Sequence, residues 1–174
     1  THLHFDHCGY STIYQGGDLA PSFPEATYWV SREQYNSMYA PHPLEAGSYY
    51  LDNIQAIEKE GLLSIIETDT RICDNIELRI FNGHTRGQLV PYISNNEQQI
   101  VYAGDVIPLA ASVSLEWISA YDIEPLISYE EKKRLLDEAA DKKQILVFCH
   151  DAYTESATIK RINEFFALDQ KELL

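Results

Sequence analysis

The sequence predicts a single mixed domain of the α/β class, or α+β, over residues 1–174. A chain of 174 residues can bury one sizeable core but is too short for two ordinary domains. Its composition, 45% hydrophobic and 23% charged, is that of a folded globular protein rather than a disordered one. Strand-like and helix-like segments also alternate along the chain in short pieces, which favours a mixed fold.

Two strands and two helices are predicted in the first half of the chain. They are a strand at 26–31, a helix at 32–39, a helix at 52–60 and a strand at 63–67. Ser31 is a suitable N-cap for the first helix, and Pro41 would end it. A loop with two prolines and a glycine is expected over 40–47, and Gly61 would close the second helix.

The second half of the chain continues the same alternation. We expect strands at 76–81, 89–94, 99–103 and 145–149, and helices at 128–142 and from Thr154 to about Leu168. The two middle strands would form a hairpin around a turn at Asn95-Asn96. Pro91 indicates an edge strand or a bulge in that hairpin, because proline cannot donate to a strand ladder.

The chain is strongly acidic, with 27 Asp+Glu against 13 Lys+Arg and a formal net charge of -14. Such a surface repels phosphate backbones and anionic lipid, so we expect neither nucleic acid nor a membrane as a partner. The apolar runs are all far shorter than the roughly 20 residues of a membrane-spanning helix. A local metal cluster could still bind an anion, because net charge does not describe a site.

The three cysteines, Cys8, Cys73 and Cys149, are widely spaced and form neither a disulfide framework nor a CxxC zinc site. This usage favours a reducing compartment, so a cytoplasmic protein is expected. A secreted protein whose leader lies outside this sequence remains open. Cys8 is expected to be a small buried filler, and Cys149 to belong to a core strand.

The densest chemical motif is His2-Leu3-His4-Phe5-Asp6-His7, which holds four metal-type ligands. On an extended strand end, His2 and His4 point to the same side and can reach one metal ion. Asp6 and His7 then turn away and can serve a neighbouring ion. A remnant of a purification tag would be a run of histidines, not this pattern. Since such sites normally follow a strand, we expect that further sequence precedes Thr1.

Three further motifs place a metal-type ligand directly after an apolar strand. They are His84 in Asn82-Gly83-His84-Thr85-Arg86-Gly87, Asp105 in Tyr102-Ala103-Gly104-Asp105, and His150 in Leu146-Val147-Phe148-Cys149-His150-Asp151. Each motif alone is better explained as a turn. Together they are distinctive, because five of the six histidines, all except His42, lie in such motifs. Imidazole and carboxylate suit zinc, iron or manganese, and the residues do not choose among them.

In this order the motifs resemble the pattern of the metallo-β-lactamase-fold hydrolases: HxHxDH, a His in a GHTxG context, an Asp after a strand and a late His. The resemblance covers Thr1 to His150. It implies a four-layer αββα sandwich made of two similar halves. This chain would hold the end of the first half and all of the second, so the domain is expected to be N-terminally incomplete, without its leading strands.

The resemblance also implies a set of seven ligands for two divalent metal ions, with zinc expected and iron or manganese as alternatives. The first ion would be bound by His2, His4 and His84. The second would be bound by Asp6, His7 and His150. Asp105 would bridge both ions. A homodimer is compatible with the resemblance, because the family often dimerises.

Differences from the family pattern argue against several branches of the family. True β-lactamases generally lack an Asp at the place of Asp105, and flavin-linked di-iron relatives have Glu at the place of His4. The interval from His84 to His150 leaves no room for the inserted domain of the nucleases. Arg86 and Gln88 replace the Pro and second His of the frequent GHTPGH motif, and neither position is a ligand.

The stretch Gly104–Pro108, followed by Trp117 and Ala120-Tyr121-Asp122, is similar to members close to lactonases and organophosphate-ester hydrolases. The glyoxalase II branch is weaker, because the late segment shows no basic cluster for glutathione. The resemblance therefore implies hydrolysis of a small-molecule ester, lactone or thioester. Phosphodiester or phosphotriester hydrolysis is the runner-up, followed by an iron-dependent redox enzyme and by a non-catalytic metal-binding protein.

The mechanism expected from charge uses a metal-bridging hydroxide as the nucleophile. Two divalent ions keep a residual positive charge after neutralisation by Asp6, Asp105 and the hydroxide, which lowers the pKa of bound water toward ~7. Asp6 or Asp105 would pass the proton to the leaving group. Tyr121 is a candidate for a hydrogen bond to the substrate carbonyl.

Overall fold

The computed structural model describes residues 1–95 and 97–172. The predicted turn at Asn95-Asn96 falls in part on Asn96, which lies outside the described residues. The helices and strands follow in the order α1 (Phe5–Cys8), β1 (Thr12–Gln15), β2 (Asp18–Pro21), β3 (Tyr28–Ser31), α2 (Arg32–Tyr39), α3 (Asp52–Lys59), β4 (Leu63–Ile66), β5 (Thr70–Cys73), β6 (Ile76–Phe81), β7 (Gln88–Ser94), β8 (Gln99–Tyr102), α4 (Pro125–Lys142), β9 (Ile145–Val147), β10 (Ser156–Ile162) and β11 (Phe165–Glu172).

The main sheet has seven strands in the order β11-β10-β9-β8-β7-β6-β5. Its pairs are antiparallel except for β8 and β9, which run parallel and are connected through α4. Their last pair is Tyr102 with Val147, so both strands end at one edge of the sheet. The turn between β6 and β7 lies at the same edge, because β7 is antiparallel to β8. The topology thus brings three ligand motifs together.

Helices cover both outer faces of two stacked sheets. On one face of the main sheet, Leu135 and Leu136 of α4 belong to the same buried cluster as Val101 and Leu146. On the opposite face, Ile66 of β4 clusters with residues of β6 and β7. The small parallel sheet of β3 and β4 lies there, with α2 and α3 packed beyond it. The layers therefore follow the order αββα, and the predicted fold class is confirmed.

Several sequence predictions agree closely with the structure. Helix α2 spans Arg32–Tyr39, and the Ser31 hydroxyl accepts a hydrogen bond from the Gln34 backbone N–H at 3.1 Å, as an N-cap does. Pro91 was predicted to mark an edge or a bulge, yet β7 is an interior strand whose register with β6 is continuous. Among the described residues, the pairing of β7 with β8 begins at Tyr92. Pro91 is therefore paired with β6 on one side and lies beyond the paired part of β8 on the other.

The predicted helix from Thr154 to about Leu168 is wrong, because β10 and β11 form an antiparallel hairpin there. Ala157 and Ile159 are buried on one side of β10, and Asn163 adopts a positive φ of 57° at the turn. Asparagine tolerates that left-handed conformation, so it supports a tight turn where a helix was expected. Thr154 instead donates its backbone N–H to the Asp151 carboxylate.

The sequence analysis also missed three short strands, β1, β2 and β5. The first two form a hairpin around Gly16 and Gly17, which have φ values of 65° and 98°. Each of these strands has only four residues, too few to show a clear period. Within the described residues, no helix combines the length and the apolar character needed to cross a lipid bilayer.

We expect Leu136→Ala in α4 to lower the free energy of unfolding by about 2–5 kcal/mol, because it leaves a cavity between the helix and the main sheet. Leu136 is fully buried. The matched control is Leu126→Ala on the same helix, whose side chain is 84% exposed and which should cost no more than about 0.5 kcal/mol. Denaturant unfolding followed by circular dichroism measures both. Equal losses in the two variants would contradict the packing described here.

Candidate metal centre

The seven predicted ligands all lie at one edge of the main sheet. His2 and His4 precede α1, and Asp6 and His7 lie within it. His84 occupies the turn between β6 and β7, and Asp105 the 3-10 turn Gly104–Val106 after β8. His150 follows β9, and its backbone N–H donates to the Pro108 carbonyl. The structure thus brings together every residue that the sequence analysis selected as a metal ligand.

Three buried histidines, His2, His4 and His84, form the first group. His4 Nδ1 lies 3.1 Å from His2 Nε2 and 3.4 Å from His84 Nε2. Nitrogen ligands about 2.0–2.1 Å from a tetrahedral zinc ion are separated by roughly 3.3 Å. Burial lowers the pKa of His2 well below its usual value, with repulsion from neighbouring histidines acting in the same direction. The neutral imidazole is the form that binds a metal.

In His4 and His84, the ring nitrogen that points away from the group is hydrogen-bonded to a carboxylate, and this bond decides which ring nitrogen carries the lone pair. His4 Nε2 donates to the Glu45 carboxylate at 3.2 Å, and His84 Nδ1 donates to Asp122 Oδ1 at 2.9 Å. Each neutral ring then carries its lone pair on the inner nitrogen. These lone pairs face one another and repel unless a cation lies between them. The donor set therefore fits a metal ion.

The second group consists of His7, His150 and the carboxylates of Asp6 and Asp105, and the Cys149 thiol lies close to His7, His150 and Asp105. The Nε2 atoms of His7 and His150 lie 3.1 Å apart. Each is 3.6 Å from Asp6 Oδ2. Asp105 Oδ1 lies 3.2 Å from His7 Nε2 and 3.3 Å from His150 Nε2. Two imidazole nitrogens and two carboxylate oxygens therefore converge on a second small volume.

Asp105 faces both groups with different oxygen atoms. Oδ1 is directed to His7 and His150, while Oδ2 lies 3.3 Å from His84 Nε2 and 4.0 Å from His2 Nε2. Burial by itself would raise the pKa of Asp105, but the hydrogen bond from His7 and the nearby imidazoles outweigh it and lower the pKa to about 2. A carboxylate with one oxygen toward each group has the arrangement of a bridge.

Glu45 supports the first group and was missed by the sequence analysis. Its Oε2 accepts hydrogen bonds from Thr85 Oγ1 at 2.7 Å, from the Tyr49 hydroxyl at 3.2 Å and from His4. Burial acts to raise the pKa of Glu45, but these hydrogen bonds prevail and lower it. Glu45 lies in the predicted loop at 40–47, where nothing in the local pattern indicates burial.

Gln34 and Glu131 hold the backbone of two ligand motifs. The fully buried Gln34 accepts from the Leu3 N–H at 2.9 Å and donates to the Arg86 carbonyl at 2.7 Å. It thereby connects the first motif to the second. The Glu131 carboxylate accepts the backbone N–H groups of the Asn82–Gly83 pair. Both residues lie on helices far away in sequence, so no local signal could reveal them.

Gln88 supports the turn that carries Asp105. With its side-chain oxygen directed to that turn, it accepts the backbone N–H groups of Asp105 and Val106 at 3.3 Å and 3.2 Å. The sequence analysis noted Gln88 only as a substitute for a non-ligand histidine. In this chain, the residue at this position holds the turn whose Asp105 carboxylate faces both groups.

The two cysteines near the centre differ from one another. Cys8 is buried and accepts a hydrogen bond from Asn53, which agrees with the predicted filler role. Cys149 was predicted to lie in a core strand, but β9 ends at Val147 and Cys149 is only partly buried. Its thiol donates to Asp105 Oδ1 at 3.2 Å. That prediction is wrong, since β9 ends two residues earlier than expected.

A cleft of about 730 Å³ opens over the centre. Its floor is formed by residues of both groups, namely His4, Asp6, His84, Asp105 and His150. Its walls are largely apolar and include Phe5, Leu44, Leu109, Tyr121 and Ile123. Tyr121, predicted to contact the substrate, is 80% exposed on this wall. The part of the chain that the structure describes contributes no lysine or arginine to the lining.

Comparisons with solved structures agree with this architecture. A probable metal-dependent hydrolase from Staphylococcus aureus has 23% identity and a TM-score of 0.85, over 99% of this chain and 62% of that one. AidC, a dizinc quorum-quenching lactonase in complex with a product, has 18% identity and a TM-score of 0.79, over 99% and 63%. A mutant of B. thuringiensis AiiA with N-decanoyl-L-homoserine at its active site has 23% identity and a TM-score of 0.67, over 87% and 54%.

The chain thus spans less than two thirds of the length of these structures. No curated protein sequence matches it. Residues 1–150 match the profile of the metallo-beta-lactamase superfamily, and this interval contains all seven residues of the centre. The sequence motifs, the αββα layers and the profile all agree, and the chain belongs to the metallo-beta-lactamase superfamily.

Proposed function

We propose that the protein is a dinuclear metal-dependent hydrolase of a small-molecule ester, lactone or thioester. The observation that carries this proposal is the placement of Asp105 between two groups of imidazoles, with one carboxylate oxygen toward each. A shared carboxylate is what a pair of closely spaced ions requires, and two-metal sites with ions roughly 3.5–4 Å apart are a common device for hydrolysis.

We propose the division between two ions that the sequence analysis expected. The first ion would be held by His2, His4 and His84. The second would be held by Asp6, His7 and His150, with Asp105 shared. When bound, the ions would supply a Lewis acid for the substrate carbonyl and water activated near neutral pH. The nitrogen and oxygen donors suit zinc, with iron and manganese as alternatives.

Asp6 is the side chain best placed to move a proton. It lines the cleft, and 42% of its side chain is exposed, so a leaving group could approach it. Asp105 also lines the cleft, but His7 and the Cys149 thiol hold it in place. We therefore assign proton transfer to the leaving group to Asp6 and the holding of both groups to Asp105.

The cleft favours a neutral substrate. Its described lining offers apolar walls and no lysine or arginine to balance a charged group. An ester or lactone fits that lining better than a phosphodiester, whose negative charge would have to be balanced by the ions without help from a lysine or arginine of the lining. The centre also opens to the cleft and uses histidine and carboxylate, whereas structural zinc sites are usually closed and rich in cysteine. That difference supports catalysis over a purely structural metal.

Two of the structural matches are bound to homoserine products or described as lactonases, which supports lactones as the first substrates to test. We expect purified protein to hold about two zinc ions per chain and to hydrolyse an acyl lactone. The panel should also contain a simple ester, a thioester and a phosphotriester. Hydrolysis of the phosphotriester alone would overturn the proposed substrate class.

Replacing the shared carboxylate should separate the two ions. We expect Asp105→Ala to reduce bound zinc from about two ions per chain to one or fewer and to slow hydrolysis by on the order of 10²-fold or more. Metal content is measured by mass spectrometry and turnover by titration of the released acid. Asp141→Ala is the matched control, since Asp141 is exposed and pairs with Arg161 at the surface. Full metal content and full turnover in Asp105→Ala would rule out the dinuclear proposal.

Tyr121 should assist the substrate rather than the metal ions. We expect Tyr121→Phe to lower kcat/KM by about threefold to tenfold, the value of one neutral hydrogen bond, and to leave zinc content unchanged. Tyr14→Phe, which removes another exposed hydroxyl outside the cleft lining, is the control. Steady-state kinetics on the best substrate measures both variants. An unchanged kcat/KM in Tyr121→Phe would remove Tyr121 from the mechanism.

A further inference from the structure

Helix α4 carries a lysine in a position where lysine is rare. Lys132 is only 2% exposed and lies one turn before the buried Leu135 and Leu136. Lysine is almost never fully buried unless its ammonium group has partners. A methionine or leucine would fill the same space without a charge to desolvate. The contacts of the ammonium group therefore need an explanation beyond packing.

The ammonium group of Lys132 fastens the segment that leads to the metal centre. Its Nζ donates to the backbone carbonyl of Ser114 at 2.6 Å and to that of Trp117 at 2.9 Å. The chain continues from there along the cleft wall to Asp122, whose carboxylate accepts from His84 Nδ1 at 2.9 Å. Lys132 thus holds the start of a segment whose end orients a predicted ligand.

The far end of this segment is bonded to the turn that carries His84. The Ile123 N–H donates to the His84 carbonyl at 3.0 Å, and the Glu124 N–H donates to the Gly83 carbonyl at 2.9 Å. Beside Lys132 on α4, Glu131 binds the other side of the same turn through the N–H groups of residues 82 and 83. Two adjacent residues of one helix therefore hold His84 from two directions.

Charge and space connect Lys132 to the same place. Burial lowers the pKa of Lys132 to about 8, while Asp122 and Glu116 attract its positive charge and act in the opposite direction. Lys132 shares a small cavity of about 190 Å³ with Trp117, Asp122 and Asp105. Without the ammonium group, the Trp117 carbonyl would lose this donor and the Ser114 carbonyl would keep the Trp117 N–H at 3.2 Å. The segment would then lose its anchor to α4.

We infer that Lys132 is a positioning residue of the metal centre, which acts through the segment 114–122 and Asp122 to hold His84 toward the first ion. The inference rests on the proposed metal centre but not on the proposed substrate. Residues that orient a ligand typically change metal affinity by 10–100-fold when replaced. Lys132 acts one step further out, so its loss should fall near the lower end of that range.

The test uses zinc alone, so it is independent of hydrolysis. We expect Lys132→Met to raise one of the two zinc dissociation constants by about tenfold and to leave the other unchanged. Competition with a chromogenic chelator measures both constants. Cobalt(II) substitution should show a changed visible spectrum for that ion only. Lys133→Met is the matched control on the same helix, since Lys133 is exposed and pairs with Asp137. It should bind both ions as the unmodified protein does.

A double-mutant cycle separates positioning from general stability. If Lys132 acts through Asp122, Lys132→Met should have little further effect on zinc affinity in an Asp122→Asn background. If Lys132→Met does not fold, Lys132→Gln replaces it in the test. The glutamine keeps a hydrogen-bond donor without the charge, so we expect a smaller loss of zinc affinity in the same direction. Unchanged zinc constants in the Lys132 variants, or losses additive with Asp122→Asn, would overturn the inference. Selective zinc loss without hydrolysis of any panel substrate would overturn the proposed function alone.

Discussion

The arrangement of the molecule depends on one electrostatic constraint, the convergence of imidazole lone pairs at a single edge of the sheet. His4 and His84 donate their outer N–H groups to Glu45 and Asp122, so their inner nitrogens face each other at 3.4 Å as acceptors. Such an arrangement is unfavourable without a cation. The surrounding side chains therefore have to hold the rings in place against their mutual repulsion. Glu45 and Asp122 bind the rings, and Gln34 and Glu131 hold the backbone that carries them.

Helix α4 has two functions in meeting that constraint. Its apolar side covers the main sheet through Leu135 and Leu136, and it also connects the parallel strands β8 and β9, whose ends carry Asp105 and His150. Its polar residue Glu131 binds the turn that carries His84, and Lys132 binds the start of the segment that leads to the cleft wall. Packing and positioning are therefore coupled, because a shift of the helix would move two ligand motifs together.

The sequence predicted the residues that converge at this edge of the sheet much better than the residues that support them. The HxHxDH motif and the strand-end positions of His84, Asp105 and His150 are local patterns, and the parallel end of β8 and β9 explains why they meet. The contacts of Glu45 span some 40 residues and have no local signature. The final hairpin was mistaken for a helix because Ile159, Ile162 and Phe166 are spaced three and four apart, as on one face of a helix. The left-handed turn at Asn163 instead belongs to a hairpin.

The charge balance of the centre explains why an acidic protein can hold it. Two divalent ions would bring four positive charges, and four carboxylates face the histidines: Asp6, Asp105, Glu45 and Asp122. These carboxylates would offset much of the charge of the ions, whereas the metal-free centre leaves the carboxylates without that balancing charge. Burial also lowers the pKa of His2, which favours the neutral imidazole that binds a metal. Binding of the ions and stability of this edge of the sheet are therefore thermodynamically linked, and each should strengthen the other.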